Sequence, residues 1–111
     1  MAEKIIKDCS NKFRLVFTDN YVAYQEMVKK GIFSKEYAVA REARISYRNV
    51  DYFEFNKSRT GTGFCSELEV SIQLLSPQPE FRSQTVSLPF SGVFMDYELN
   101  PIIEFANSKI K

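Results

Sequence analysis

The chain has 111 residues, 44% of them apolar, with ten phenylalanines and six tyrosines; that is enough to bury one core unaided and too few residues for two. Fifteen basic and fourteen acidic residues leave a formal charge of +1, so no whole-molecule field draws it onto nucleic acid and any anionic partner must be met locally. Histidine is absent, which removes the usual general base near neutral pH, the commonest metal ligand and every Ser-His-Asp or Cys-His arrangement.

The opening Met1 to Asp8 carries charges throughout and no apolar run of a secretory signal; residues 1–10 are read as a flexible N-terminal segment. Phe13, Leu15 and Phe17 then alternate with Arg14 and Val16 as a half-buried strand does. Thr18-Asp19-Asn20 breaks the run and Tyr21, Val22 and Tyr24 restart it, which predicts a hairpin. That second strand fades near Met27, and Lys29-Lys30-Gly31 supplies the next turn.

The segment from Ile32 to Arg44 is open to two readings. Propensity allows a short helix over Tyr37–Ala43, whereas the odd-numbered series Tyr37, Val39, Arg41, Ala43, Ile45 and Tyr47 fits one face of a strand, and the strand is favoured by its context. A kink at Arg48-Asn49 leads into Val50, Tyr52, Phe53 and Phe55, another strand, before the polar loop Lys57 to Gly63. From Phe64 the alternation is clearest: Leu68, Val70, Ile72 and Leu74 face inward while Glu67, Glu69, Ser71 and Gln73 face water. Pro77 and Pro79 force a loop, and Val86, Leu88 and Phe90 mark a last strand ending at Ser91-Gly92.

Only the end of the chain reads as helical. Asn100 suits an N-cap and Pro101 the first helical position, with an earlier start near Met95 as the alternative. Ile102, Phe105, Ala106 and Ile110 form an apolar stripe that should cover an open edge or mouth of the sheet. The expected fold is therefore mainly β: a single domain, an antiparallel meander or partly open barrel of six to seven strands with a C-terminal amphipathic helix.

Three local features resemble bacterial members of the pleckstrin-homology-like family. Phe13 to Tyr24 is similar to their strand ending in Leu-Thr-Asp that turns into an aromatic-rich strand; Ile45-Ser46-Tyr47-Arg48-Asn49-Val50 resembles their third-strand ending; Val86-Ser87-Leu88-Pro89-Phe90 stands before the last helix as theirs does. The resemblance spans nearly the whole chain in order of elements. It implies a binding module for phosphoinositides, peptides or proteins. Lipid-binding relatives use Lys and Arg around the first hairpin loop, whereas the loop identified here, Thr18-Asp19-Asn20, is short and acidic, so the resemblance shifts the expected partner toward protein.

Chemistry-bearing motifs are sparse. Gly61-Thr62-Gly63 lacks the third glycine and Gly-Lys-Thr ending of a phosphate loop, no calcium-loop spacing exists, and Glu67 with Glu69 reads as a solvated face. Cys9 and Cys65 have no metal spacing; both are expected to be reduced, Cys65 as a small buried thiol. No apolar run approaches the roughly 18 residues of a membrane-crossing helix. The resulting expectations are a cytoplasmic, non-enzymatic protein-interaction or adaptor module without cofactor or metal, self-associating or meeting a protein partner through a sheet edge with Tyr52, Phe94 and Tyr97 as contacts. The alternative is a peripheral membrane domain meeting anionic lipid through Lys57, Arg59, Lys29 and Lys30, with Lys35 in the same basic group. Base stacking by Tyr47, Tyr52, Phe53 and Phe55 is disfavoured, because adjacent Tyr52 and Phe53 point to opposite faces.

Overall fold

A computed structural model describes residues 3–59 and 65–110, with the side chains of 59, 65 and 66 left aside. Seven strands and one α-helix follow in chain order: β1 (Lys4–Lys7), β2 (Phe13–Phe17), β3 (Tyr21–Lys29), β4 (Tyr37–Ser46), a 3-10 turn (Tyr47–Asn49), β5 (Val50–Arg59), β6 (Cys65–Leu74), β7 (Thr85–Ser91) and α1 (Asp96–Ser108). They pair as two antiparallel sheets, β1-β2-β3-β4 and β5-β6-β7, with no crossover. The inward series Leu15, Phe17, Val22, Ile45, Leu68, Val70, Ile72, Leu74, Val86 and Phe90 is at most 5% exposed, as the period-two pattern predicts. Phe17 and Phe53 meet edge to face at 5.5 Å across the gap between the sheets, a geometry in which the positive ring edge faces the negative ring face.

Residues 32–44 resolve as turn plus strand, not helix, but the odd-numbered face is not continuous. A bulge at Glu26/Met27 sets Glu26 opposite Arg41 and Met27 opposite Val39, so one extra residue of β4, Ala40, is absorbed and the parity of β4 reverses. Ala43 and Ile45 point into the core, whereas Val39 and Tyr37 join Met27 and Lys29 on the outer face.

Two expectations at the ends are corrected. Residues 4–7 are not a flexible leader: they form β1, with Ile6 opposite Leu15 and 2% exposed, a single inward anchor hidden in sequence among Lys4, Ile5 and Lys7. The first hairpin is consequently β1–β2, with its loop at residues 8–12, and Thr18-Asp19-Asn20 closes the second. The helix begins at Asp96 after an extended Met95, not at Asn100. Buried Leu99 secures its first turn, and Asp96 and Glu98 sit at the positive end of the helix dipole. Pro101 lies inside, forgoing one backbone bond. Leu99, Ile102 and Ala106 pack on β1, β2 and β5 and close the space between the sheets.

Candidate functional site

Antiparallel register builds a transverse polar row on the outer face of the first sheet. Lys7 lies opposite Arg14, Arg14 opposite Gln25, and Gln25 opposite Glu42. The row is hydrogen-bonded: Arg14 Nε donates to Gln25 Oε1 at 2.6 Å, Gln25 Nε2 donates to Glu42 Oε2 at 2.7 Å, and Glu42 is closed off by Arg44. The hydrogen bonds from Arg44 and then Gln25 hold the Glu42 carboxyl below its ordinary range, against a smaller push from burial. Arg44 lies over the Tyr21 ring at 4.5 Å. The acid of the row is thus occupied at its far end, and the near end is purely basic.

At that near end lies a cleft of about 240 Å³ lined by Lys7, Asn11, Phe13, Arg14, Met27, Lys35 and Tyr37. Lys7 comes from the end of β1, Arg14 from β2, and Lys35 from the β3–β4 loop, which the antiparallel order brings to the same end of the sheet as the β1–β2 loop. Met27 N–H donating to Lys12 O at 2.7 Å ties β3 to the β1–β2 loop. Asn11 takes a left-handed turn at φ 59°, a conformation that asparagine tolerates, and its N–H donates to Asp8 O at 3.0 Å. The bulge in β4 is what places Tyr37 here. Three cations converge with no carboxylate in the lining, and neither Lys7 nor Lys35 makes an ion pair among the described residues. Because Gln25 takes the Arg14 Nε, the terminal guanidinium nitrogens are the ones left for a ligand. A larger groove of about 410 Å³ between β3–β4 and β7 is electrostatically mixed, with Glu26 and Glu80 among Arg41 and Arg82.

The β1–β2 loop is anchored from beneath by Asp8. Its carboxylate accepts from Ser91 N–H at 2.8 Å, from Ser10 N–H at 3.1 Å and from the Ser10 hydroxyl, while Cys9 N–H donates to Ser91 O at 2.9 Å. Burial pushes this carboxyl up, but the Ser10 and Ser91 hydrogen bonds and the charge of Lys12 outweigh it and hold it below its ordinary value. Cys9 itself is exposed.

The residues nominated by sequence fare unevenly. Lys29 is exposed at the end of β3, and Lys30 pairs with Glu36 at 3.3 Å on the surface. Lys57 does not line the cleft: on β5, its ammonium pairs with Asp96 at 2.8 Å and its side chain is 15% exposed. The side chain of Arg59 and the Gly61-Thr62-Gly63 loop lie outside the described residues, as does the Cys65 thiol. Phe94 is corrected from contact to core: it is 8% exposed, and the chain reaches it through Gly92, whose φ of +148° is a conformation that residues with a side chain rarely adopt. Tyr52 on edge strand β5 and Tyr97 on α1 are exposed, 47% and 72%, and no ring contact joins them. Sequence reading missed Lys7 and Arg14. A basic residue closing one strand and another near the start of the next, seven positions apart around a polar turn, was the available signal; it required β1 to be recognised.

The arrangement of four plus three antiparallel strands closed by a C-terminal helix is the architecture that the resemblance to pleckstrin-homology-like domains implies. No family model matches the chain, and neither does any curated protein. A solved structure to which it is similar is the pleckstrin homology domain from Shewanella amazonensis SB2B, at 17% identity and a TM-score of 0.45, covering 96% of this chain and 81% of that one.

Proposed function

We propose that the domain is a recognition module, not an enzyme, that binds a phosphate-bearing anion in the Lys7–Arg14–Lys35 cleft. The observation that carries this reading is the convergence of three cationic side chains from three separate elements on one concavity without an acid, one of them held by Gln25. Like charges gathered this way repel one another and gain from a shared anion; guanidinium and ammonium groups supply point charge and paired donors for phosphate oxygens. With no histidine in the chain, proton-transfer chemistry on the bound group has no ordinary agent near neutral pH, which favours binding without turnover.

The test is titration of the whole chain with inorganic pyrophosphate and with inositol hexakisphosphate, followed by backbone amide shifts in NMR at low salt. Expected are saturable shifts centred on Lys7, Asn11, Arg14 and Lys35, and a loss of affinity of about tenfold for Arg14→Ala. Shifts centred elsewhere, or no saturation with either anion, would sink the reading.

A further inference from the structure

The two sheets have edge strands β1, β4, β5 and β7, and an open row of backbone N–H and C=O groups on such an edge recruits another chain unless it is blocked. Three of these edges are blocked. In β4 the carbonyl of Arg44 accepts from Gln78 Nε2 at 3.2 Å, and the bulge against β3 breaks the row. In β7 the N–H and C=O of Ser91 are taken by Asp8 and Cys9, and alternation puts Pro89, which has no N–H, on the same edge. β5 is interrupted by register shifts at Val50/Tyr52 and Ser58/Arg59, and α1 packs against it.

The edge of β1 is open. Asp8 N–H donates to Phe13 O, so Lys4 and Ile6 exchange bonds with β2, while the N–H and C=O of Ile5 and Lys7 point away from it. No backbone bond among the described residues takes them up. Beside this edge runs a groove of about 210 Å³ between β1 and the start of α1, in which Ile5, Ile6, Val93 and Glu98 meet; Ile5 and Val93 are exposed. Glu3, Lys4, Lys7 and Glu98 form no ion pair among the described residues.

We infer that this edge pairs with β1 of a second copy of the chain, antiparallel and centred on Ile5, so that the first sheets of the two copies join across a twofold axis. Charge selects both the occupant and the register. Centred on Ile5, Glu3 stands opposite Lys7 of the second copy, twice by symmetry. It thereby sets an acid at the basic end of the row Lys7, Arg14, Gln25 and Glu42. On the inner face Lys4 stands opposite Ile6 of the second copy, which shares its groove with Glu98. Ile5 meets Ile5 at the axis and exchanges both backbone bonds. Moving the centre to Lys4 would oppose like charges, and moving it to Ile6 would leave Lys7 facing Ile5. Lysines on an edge ordinarily deter pairing, but in this register each finds an acid. Lys7 also lines the anion cleft, so the association is measured without phosphate; Arg14 and Lys35 take no part in it, and the anion reading stands or falls separately.

Sedimentation equilibrium of the whole chain at low salt should show a reversible monomer–dimer equilibrium, and amide hydrogen exchange at Ile5 and Lys7 should slow as concentration rises. Glu3→Lys and Lys7→Glu, both at exposed positions, each oppose like charges and should raise the dissociation constant by at least about tenfold. Combining the two substitutions in one chain, or mixing the two single variants in equal amounts, restores opposite charges and should recover the dimer. A chain that stays monomeric at millimolar concentration, a dimer that Glu3→Lys leaves unchanged, a loss that the combined substitutions do not recover, or exchange at Ile5 and Lys7 that ignores concentration would each overturn the pairing.

Discussion

Asp8 shows how a single side chain can decide the shape of a binding end. It is 7% exposed and joins the β1–β2 loop to the end of β7, so the position of the Lys7 and Asn11 side of the cleft depends on it. Its carboxyl is held below the ordinary 3.8, which means that the unfolded chain takes up its proton more readily than the folded one. The stability it contributes is therefore complete above that value and drains as pH falls through the lower, folded value. Asp8→Ala should cost about 2 kcal/mol near neutral pH, from lost hydrogen bonds and a Ser91 N–H left unpaired. In urea unfolding the gap between wild type and variant should narrow as pH falls below the ordinary 3.8 and the wild type loses the same contribution. A gap independent of pH would show that packing, not the ionised carboxylate, is what the variant removes.

Element by element, the strands with strict alternation were legible because each buries one face only. Leu68, Val70, Ile72 and Leu74 in β6 and Val86, Leu88 and Phe90 in β7 occupy the predicted faces. What was hidden needed pairing partners to become visible. In β1 only Ile6 is buried, and a lone inward residue between lysines has no periodicity to detect. The parity reversal in β4 arises from a bulge, which depends on the neighbouring strand and leaves no mark in β4 itself. Losing β1 also displaced the first hairpin by one, so the acidic turn at Asp19 was weighed as the lipid-facing loop when it lies at the other end of β2, paired with Lys109 at 3.3 Å. Of the two helix starts, the one near Met95 is the one found, and Asn100 misleads for a different reason. Asn100-Pro101 is a strong local signal, but the burial of Phe94 and Leu99 outweighs one missing backbone bond. Leu99→Ala should accordingly destabilise by about 3 kcal/mol, the cost of a fully buried leucine cavity, a larger loss than Asn100→Ala at an exposed mid-helix position. Thermal unfolding followed by circular dichroism distinguishes them; equal effects would place the helix start back at Asn100.

At the scale of the molecule, a formal charge of +1 conceals an uneven distribution. Two of the cations are used internally, Lys57 of β5 with Asp96 and Lys109 just past α1 with Asp19, and these ion pairs fasten the two ends of the helix to β5 and to the β2–β3 turn. Those at the β1–β2 and β3–β4 end include Lys7 and Lys35, which have no acidic partner among the described residues. The two groups should respond oppositely to mutation. Lys35→Glu reverses a charge at the cleft, so it should weaken pyrophosphate binding by about tenfold or more, a donor to the anion being replaced by a group that repels it. It should leave stability within about 0.5 kcal/mol, as exposed substitutions do. Lys57→Ala should do the reverse, lowering stability by about 1 kcal/mol through loss of a partly buried pair and leaving pyrophosphate affinity unchanged. Raising salt should weaken the wild-type interaction, and less steeply that of Lys35→Glu, in which fewer cations act on the anion. If Lys57→Ala weakened pyrophosphate binding as strongly as Lys35→Glu, the anion site would have to include β5 and the start of α1, and the cleft between β1, β2 and the β3–β4 loop would not be its centre.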